Sequence, residues 1–363
     1  VDLHVHAPQF PNMGTGLYLP LEEWLNRITF PLEDSYKDIT QAKTVYPTLV
    51  STLLSNGTTC ALYFSSIHAH ATIELAKICL EKGQRAFIGK VCMDNPEQCP
   101  DYYIEETEKS LLETKRVIKT IHELSDEKYS KEMNKNCDNR VVSDTRLVRP
   151  VITPRFIPSC TDDLLMGLGD IAKENPTVIV QSHCSESNWA VQYCADRFDG
   201  KSDTEVYNQF GLLRKNSVWA HSIYLSDSDL DLLHSNGAGI AHCPLSNFYF
   251  ANAAFSYNRV LSAGVNIGIG TDISGGYSPS IYENCRVSVV TSLALEDGID
   301  PNDKNRGSPN SRIDIEKAFF MATMGGAKAL GIDHLVGSFE IGKSFDAQLV
   351  VKPPSILPEI NDL

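Results

Sequence analysis

The sequence predicts an α/β fold, a (β/α)8 TIM barrel, on three observations. Eight short β-branched runs recur along the chain, amphipathic helical stretches separate them, and several runs end in a histidine or aspartate. Strands that alternate with helices pair in parallel, and eight of them close into a barrel. The length of 363 residues fits one such barrel with insertions.

The candidate strands are 1–6, 59–64, 86–91, 147–153, 177–183, 217–221, 238–242 and 266–271. Between the third and fourth, Val117, Ile118, Ile121 and Leu124 share one face of a helix over 111–125. After the sixth, Ser226 with Asp229 three residues on starts a helix, and Gly237 ends it. Segment 126–146 is polar and lacks apolar periodicity, so it reads as a surface insertion without chemistry of its own. Beyond the eighth strand, 313–330 predicts a helix and 337–351 a pair of hairpin strands in a small appended β unit. The domain reading is therefore a barrel over 1–335 and the start of that unit over 336–363.

Hydrophobic residues make up 42% and charged residues 21%, enough apolar mass for a sizeable core in a soluble protein. The net charge of −14 argues against nucleic acid or an anionic membrane as partner, since both would be repelled. No apolar run approaches the roughly 20 residues of a membrane helix. The chain opens at Val1, without Met, inside a strand-like run, so part of the natural N-terminus is expected to be missing. Ten cysteines stand without a paired framework, several of them (Cys60, Cys79, Cys92, Cys184, Cys243) in apolar or ligand-rich runs. They read as reduced thiols of a cytoplasmic protein. No C-x-x-C occurs, which removes common structural zinc sites and the H-x-E, P-C-x-x-C type of deaminase site.

His4 and His6, His183, His221, His242 and Asp272 fall at strand ends. A barrel of this kind carries its active site at the C-terminal mouth, so these groups point to one site. His4 and His6 are two apart on a strand and face the same side. Zinc takes nitrogen ligands and needs about three protein groups plus a water for catalysis, and His183 and Asp272 could complete that shell. A lone H-x-H says little; the set in matching order says much. Glu186, three residues after His183, could stand beside a metal and carry a proton.

Other residues have plainer readings. His242 reads as a packing or supporting histidine, and His122, His234 and His334 as surface or structural. His68 and His70 form a second H-x-H where a helix begins, so their rings need not share a face. Lys90, closing the third run, reads as a structural or supporting amine. From its position alone, Arg155 could equally be a substrate ligand or a structural ion pair at the barrel rim.

With these residues the sequence resembles the amidohydrolase superfamily, whose pattern is H-x-H on strand one, His on strands five and six, and Asp on strand eight. Within it the chain looks like the guanine deaminases, of a fungal kind, through HVHAPQFPNMGTGLYLPLEEWL from His4, TPRF from Thr153 and GTDISGGYSPS from Gly270. The resemblance implies hydrolysis of guanine to xanthine and ammonia, with one Zn2+ per chain held by His4, His6, His183 and Asp272. It implies that His221 orients the water on the metal, with direct ligation left open, and that Glu186 is the proton shuttle. Gln9 would bond the purine edge, Arg155 would donate to the guanine carbonyl, and Phe156 would pack against the ring. A buried Arg that expects a carbonyl would reject adenine strongly, because its charge would be left unpaired. Binuclear members commonly carry a carboxylated Lys at the end of strand four; Thr-Pro-Arg-Phe stands here, which favours one metal. The resemblance further implies a homodimer, and a small β-sandwich built from both termini, of which this chain would hold only the C-terminal start.

Two rival readings differ at definite features. Another amidohydrolase acting on adenine, cytosine or a triazine would not need Gln9 with the Arg155–Phe156 pair. A catalytically dead barrel serving as a scaffold would be expected to have lost metal ligands, and every expected position is retained.

Overall fold

The computed structural model describes residues 1–133 and 146–350. Eight strands form one parallel sheet in sequence order: β1 (Asp2–His6), β2 (Cys60–Phe64), β3 (Arg85–Cys92), β4 (Val148–Pro154), β5 (Ile179–Cys184), β6 (Val218–His221), β7 (Gly239–His242) and β8 (Asn266–Ile269). Each expected run forms its strand to within one or two residues. The barrel shuts where β1 meets the end of β8: Asp272 N–H donates to His4 O and His6 N–H to Ile273 O, both at 2.8 Å. The (β/α)8 barrel is therefore the fold. β8 stops at Ile269, short of the expected 271, because the Asp2 carboxylate takes the Thr271 N–H at 2.9 Å and its hydroxyl at 2.6 Å.

Alternation along β1 sorts its side chains. Val5 packs outward with Tyr46, Leu49 and Val50 of helix Ile39–Ser55, and Leu3 with Ala327 and Leu330. Asp2, His4 and His6 lie on the opposite face, turned inward. Helix Asp162–Glu174 shows how the outer ring is held. Its Leu164, Leu165, Leu168 and Ile171 are all but fully buried, each worth about 1.5–3 kcal/mol of apolar burial. Thr161 caps its start by accepting from Leu164 N. The helix expected after the sixth strand is Asp227–Ser235, and Ser226 and Asp229 form a reciprocal capping box. Gly237 follows at φ +64°, the left-handed conformation that ends helices.

Two expectations need correction. Helix Thr107–Met133 runs eight residues into the segment read as an insertion from 126. Its polar face concealed it; the buried Val117, Ile118 and Ile121 anchor the helix, and Ser125 donates to Val148 O at 2.6 Å. Positions 134–145 lie outside the described residues. No strand forms over 337–350, where hairpin strands were expected. A strand needs a neighbouring strand to bond along its length, and among the described residues none pairs with this stretch, which makes only scattered bonds such as Ser344 N–H to Leu335 O; Phe339, Ile341, Phe345, Leu349 and Val350 lie exposed. The predicted helix over 313–330 forms as one helical run from Ile315 to Ala329 with a wide turn at Met321–Gly325.

Candidate active site

The strand ends converge as expected. His4 and His6 on β1 set their rings 4.8 Å apart and nearly perpendicular. His183, on β5, brings its Nε2 to 3.0 Å from His6 Nε2. Asp272, just past β8, places Oδ1 3.2 Å from His4 Nε2 and 3.5 Å from His6 Nε2. His221, ending β6, stands with Nε2 3.5 Å from Glu186 Oε1 and 4.0 Å from Asp272 Oδ2. All six are buried.

The chain bends sharply to achieve this. Ser185, His221, Ser222 and Asp272 all have φ between 48° and 67°, a region that non-glycine residues seldom enter. Such conformations persist only where surrounding bonds over-determine them, and they cluster at functional sites. Asp203 accepts from Ser185 N at 2.7 Å and Asp2 holds Thr271, so each flanking turn is pinned. Gly270 serves by its small size: a Cβ there would fall 2.7 Å from the His4 Cβ.

The donor set fits a metal ion. His183 Nδ1 lies 2.6 Å from the Arg155 carbonyl, which can only accept, so Nδ1 carries the proton and Nε2 turns a lone pair to the centre. His221 Nδ1 lies 3.0 Å from the Asn247 side-chain oxygen, which directs its Nε2 inward in the same way. His4 Nε2 and His221 Nε2 are buried and lack any hydrogen-bond partner. Buried polar atoms are rarely left so. Burial pushes the pKa of His4, His6 and His183 well below the ordinary histidine value, which favours the neutral ring, the form that ligates. The ring nitrogens of His4, His6 and His183 lie within 4.8 Å of one another, as do the ligating atoms of His183, Glu186 and His221. A cation here would satisfy what the protein leaves open.

The two carboxyls differ in setting. Burial, then the charge of Asp272, pushes the Glu186 pKa well above the usual range, with Arg155 opposing. Burial raises Asp272 to about 6, and His221 partly offsets it.

Beside the centre lies a cavity. Its polar wall is His6, Gln9, Arg155, His183, Glu186 and Asp272, and its apolar wall includes Leu21, Trp24, Leu25, Phe156 and Phe250. Trp24 and Phe250 pack with ring centres 5.0 Å apart. Of the residues singled out from sequence, His6, Gln9, Arg155, Phe156, His183, Glu186 and Asp272 line this cavity, while His4 and His221 do not line it and stand against Asp272. Arg155 proves to be in an ion pair as well as on the cavity wall. Its NH1 and NH2 reach the Glu33 carboxylate at 2.6 and 3.2 Å, and Phe30 covers the guanidinium at 4.9 Å. Burial alone would lower the Arg155 pKa, but the Glu33 charge and bonds outweigh it and raise it.

Sequence reasoning missed Glu33, Asn247 and the Trp24–Phe250 wall. Trp24 stood inside the long first stretch quoted above; Glu33 and Asn247 gave no signal, since their partners are remote in sequence. The plainer readings hold for others. His242 stacks on Phe255 at 4.7 Å, and Lys90 is buried in an ion pair with Glu105 at 2.6 Å. His68 and His70 join no metal-ligating cluster among the described residues. The nine cysteines described are buried and free.

Comparison with known proteins agrees with this geometry. The model of the amidohydrolase family matches residues 1–363. A guanine deaminase from Dictyostelium discoideum is 40% identical over 96% of this chain and 71% of its own length. A probable guanine deaminase from Schizosaccharomyces pombe is likewise 40% identical, and the chain spans 62% of it. Equal identity to slime-mould and yeast relatives singles out no fungal lineage. The crystal structure of a guanine deaminase from C. acetobutylicum with bound guanine in the active site superposes with a TM-score of 0.77 at 33% identity, over 95% of this chain and 74% of that one. The chain belongs to the amidohydrolase family, and within it to the guanine deaminases.

Proposed function

We propose that this chain is a zinc-dependent enzyme that hydrolyses guanine to xanthine and ammonia, with one zinc held by His4, His6, His183 and Asp272. The observation that carries the reading is the cluster of inward-facing, unpartnered imidazole nitrogens beside a cavity walled by Gln9, Arg155 and Phe156. When bound, zinc supplies Lewis acidity that brings the pKa of water toward about 7, so hydroxide is available at neutral pH. No Lys stands on the cavity wall to bridge a second ion, and Lys90 is committed to Glu105, which supports a single metal.

The protein's own groups do the rest. Phe156 packs against the planar base, Arg155 donates to its carbonyl oxygen, and Gln9 bonds its edge. His221 and Asp272 orient the attacking oxygen at C2. The buried Nε2 of His221 has no hydrogen-bond partner, so it could also ligate the metal directly. Glu186 passes a proton of the attacking water to ring N3 as the carbon–oxygen bond forms, then takes the proton of the new C2 hydroxyl and delivers it to the amino group; the carbon–nitrogen bond breaks, ammonia leaves, and the C2 oxygen becomes the carbonyl of xanthine. A buried carboxyl with a raised pKa suits that donor role.

The wider setting is part of the same reading. The reaction is a step of purine catabolism; the buried free thiols support a cytoplasmic setting, and among the described residues no helix is long and apolar enough to cross a membrane. Net charge of −14 supports a small-molecule substrate over nucleic acid. A homodimer rests on the family resemblance. A barrel unit over 1–335 is supported by Leu335 and Val336 being buried while the residues after them emerge.

Guanine loss followed by ultraviolet absorbance, with the zinc-loaded chain and with adenine and cytosine alongside, tests the proposal. Conversion of guanine alone is expected. No turnover of guanine by metal-loaded protein would sink it.

A further inference from the structure

Glu33 lies on the short helix Phe30–Asp34 and has no exposed surface. Its carboxylate has about four acceptor sites, and four donors reach it. Oε1 accepts from Gln9 Nε2 at 2.7 Å and Arg155 NH2 at 3.2 Å. Oε2 accepts from Arg155 NH1 at 2.6 Å and the Tyr103 hydroxyl at 2.7 Å. No acceptor capacity remains for a ligand.

The same bonds fix which way Gln9 points. Its Nε2 faces a carboxylate oxygen, and its Oε1 faces the Ser274 backbone N–H at 3.2 Å. A flipped amide would set oxygen against oxygen and N–H against N–H. The orientation is therefore determined, and the Ser274 hydroxyl, also 3.2 Å from Oε1, crowds the same acceptor. What Gln9 retains is its second N–H. Arg155 retains the N–H groups that Glu33 does not use. Both residues line the cavity. The wall they share can donate hydrogen bonds but cannot accept them.

We infer that Glu33 is a specificity-determining positioning residue: by taking one N–H of Gln9 and two of Arg155, it holds a donor-only edge that admits purines with a 6-oxo group and rejects those with a 6-amino group. The inference rests on the proposed guanine chemistry and deepens it. A 6-amino group brings N–H against N–H at a buried edge, where an unpaired polar group is costly. Glu33 touches neither the cavity nor the metal-ligand cluster, so it acts through Gln9 and Arg155.

Glu33→Gln tests it, because Gln keeps the shape and replaces one acceptor oxygen by a donor. In either amide orientation one Arg155 N–H then meets another N–H. An unanchored Arg155 admits water, which pairs with an amino group as readily as with a carbonyl. The substrates to compare are guanine and 2,6-diaminopurine, which carry the same leaving amino group at C2 and differ at C6. Wild type should favour guanine in kcat/KM by about 10⁴-fold or more, as sites built around a polar partner do. In Glu33→Gln that ratio should fall at least about tenfold, mainly through KM for guanine, and Glu33→Asp should restore part of it. A folded, metal-loaded Glu33→Gln that loses rate on both substrates equally, with the ratio held within about threefold, would overturn the inference.

If Glu33→Gln does not fold, competition in the wild-type enzyme decides. Hypoxanthine should bind at least about tenfold more tightly than adenine, and equal binding would overturn the donor-only edge. Failure of the underlying reading looks different: wild type would then not consume guanine at all.

Discussion

His4-Val5-His6 and His68-Ala69-His70 carry the same spacing and meet opposite fates. The first pair lies on a strand, where residues two apart share a face, and both rings enter the barrel mouth. The second straddles a helix start: His68 is the residue before helix Ala69–Lys82, and His70 lies in its first turn. Two residues on a helix turn through about 200°, so the rings diverge. They stand 5.8 Å apart, against 4.8 Å for the first pair, and each finds a different partner. His70 Nε2 bonds Tyr36 O at 3.1 Å, while His68 Nε2 sits 4.0 Å from Asp34. Spacing becomes a site only through the element that carries it and the residues that other elements bring alongside.

The sharpest way to break this contrast is to remove a ring from the first pair. His6→Ala should lose most of the bound zinc and, with it, turnover by more than about 10⁴-fold, since the hydroxide source goes with the metal. Elemental analysis beside the guanine assay checks it; full metal content with ordinary rate would refute the ligand role. Glu186→Gln is next. It should keep the metal and lose about 10²–10⁴-fold in rate, the usual worth of a general acid–base group. Retention of more than about a tenth of the rate would end the shuttle role. Asn247→Ala removes the partner of His221 Nδ1 and so frees the ring to change tautomer. Loss of such a supporting contact typically costs about 10–100-fold in activity or metal affinity. An unchanged rate and metal affinity would show that the His221 orientation is held by packing alone.

The contrast also explains what the sequence could reveal. Strands buried on both faces read as continuous apolar runs, so an ionisable group ending one stands out. His183, three residues past Val178, Ile179 and Val180, is such a case, and the cluster of strand-end histidines with Asp272 that the structure brings together was legible in this way. Strand ends were less legible, because they depend on where neighbours stop pairing: Asp2, 269 residues from Thr271, decides the end of β8. Glu33 was invisible for the same reason. Nothing in Phe-Pro-Leu-Glu-Asp marks a buried carboxylate whose partner lies 122 residues away. The hairpin expected over 337–351 erred in the other direction, because alternation suggests a strand but does not supply a neighbour to pair with it.

The smallest effect is expected from the second pair, and it bears hardest on the comparison. His70 is exposed and contributes one hydrogen bond to a backbone carbonyl of Tyr36. Such a bond is worth about 0.5–1.5 kcal/mol net, and less where water can replace it. His70→Ala should therefore leave zinc content and kcat/KM for guanine within about twofold of wild type, while the unfolding midpoint drops by at most about 2–4 °C. His68→Ala should behave alike, since its contact with Asp34 is long and its ring half-buried. The two pairs lie at or just past the C-terminal ends of adjacent strands, β1 and β2, so position in the barrel alone does not separate them. A tenfold fall in activity or a loss of metal in either variant would show that the second H-x-H takes part after all. Unchanged chemistry in both would confine the function to the pair that the strand turns inward.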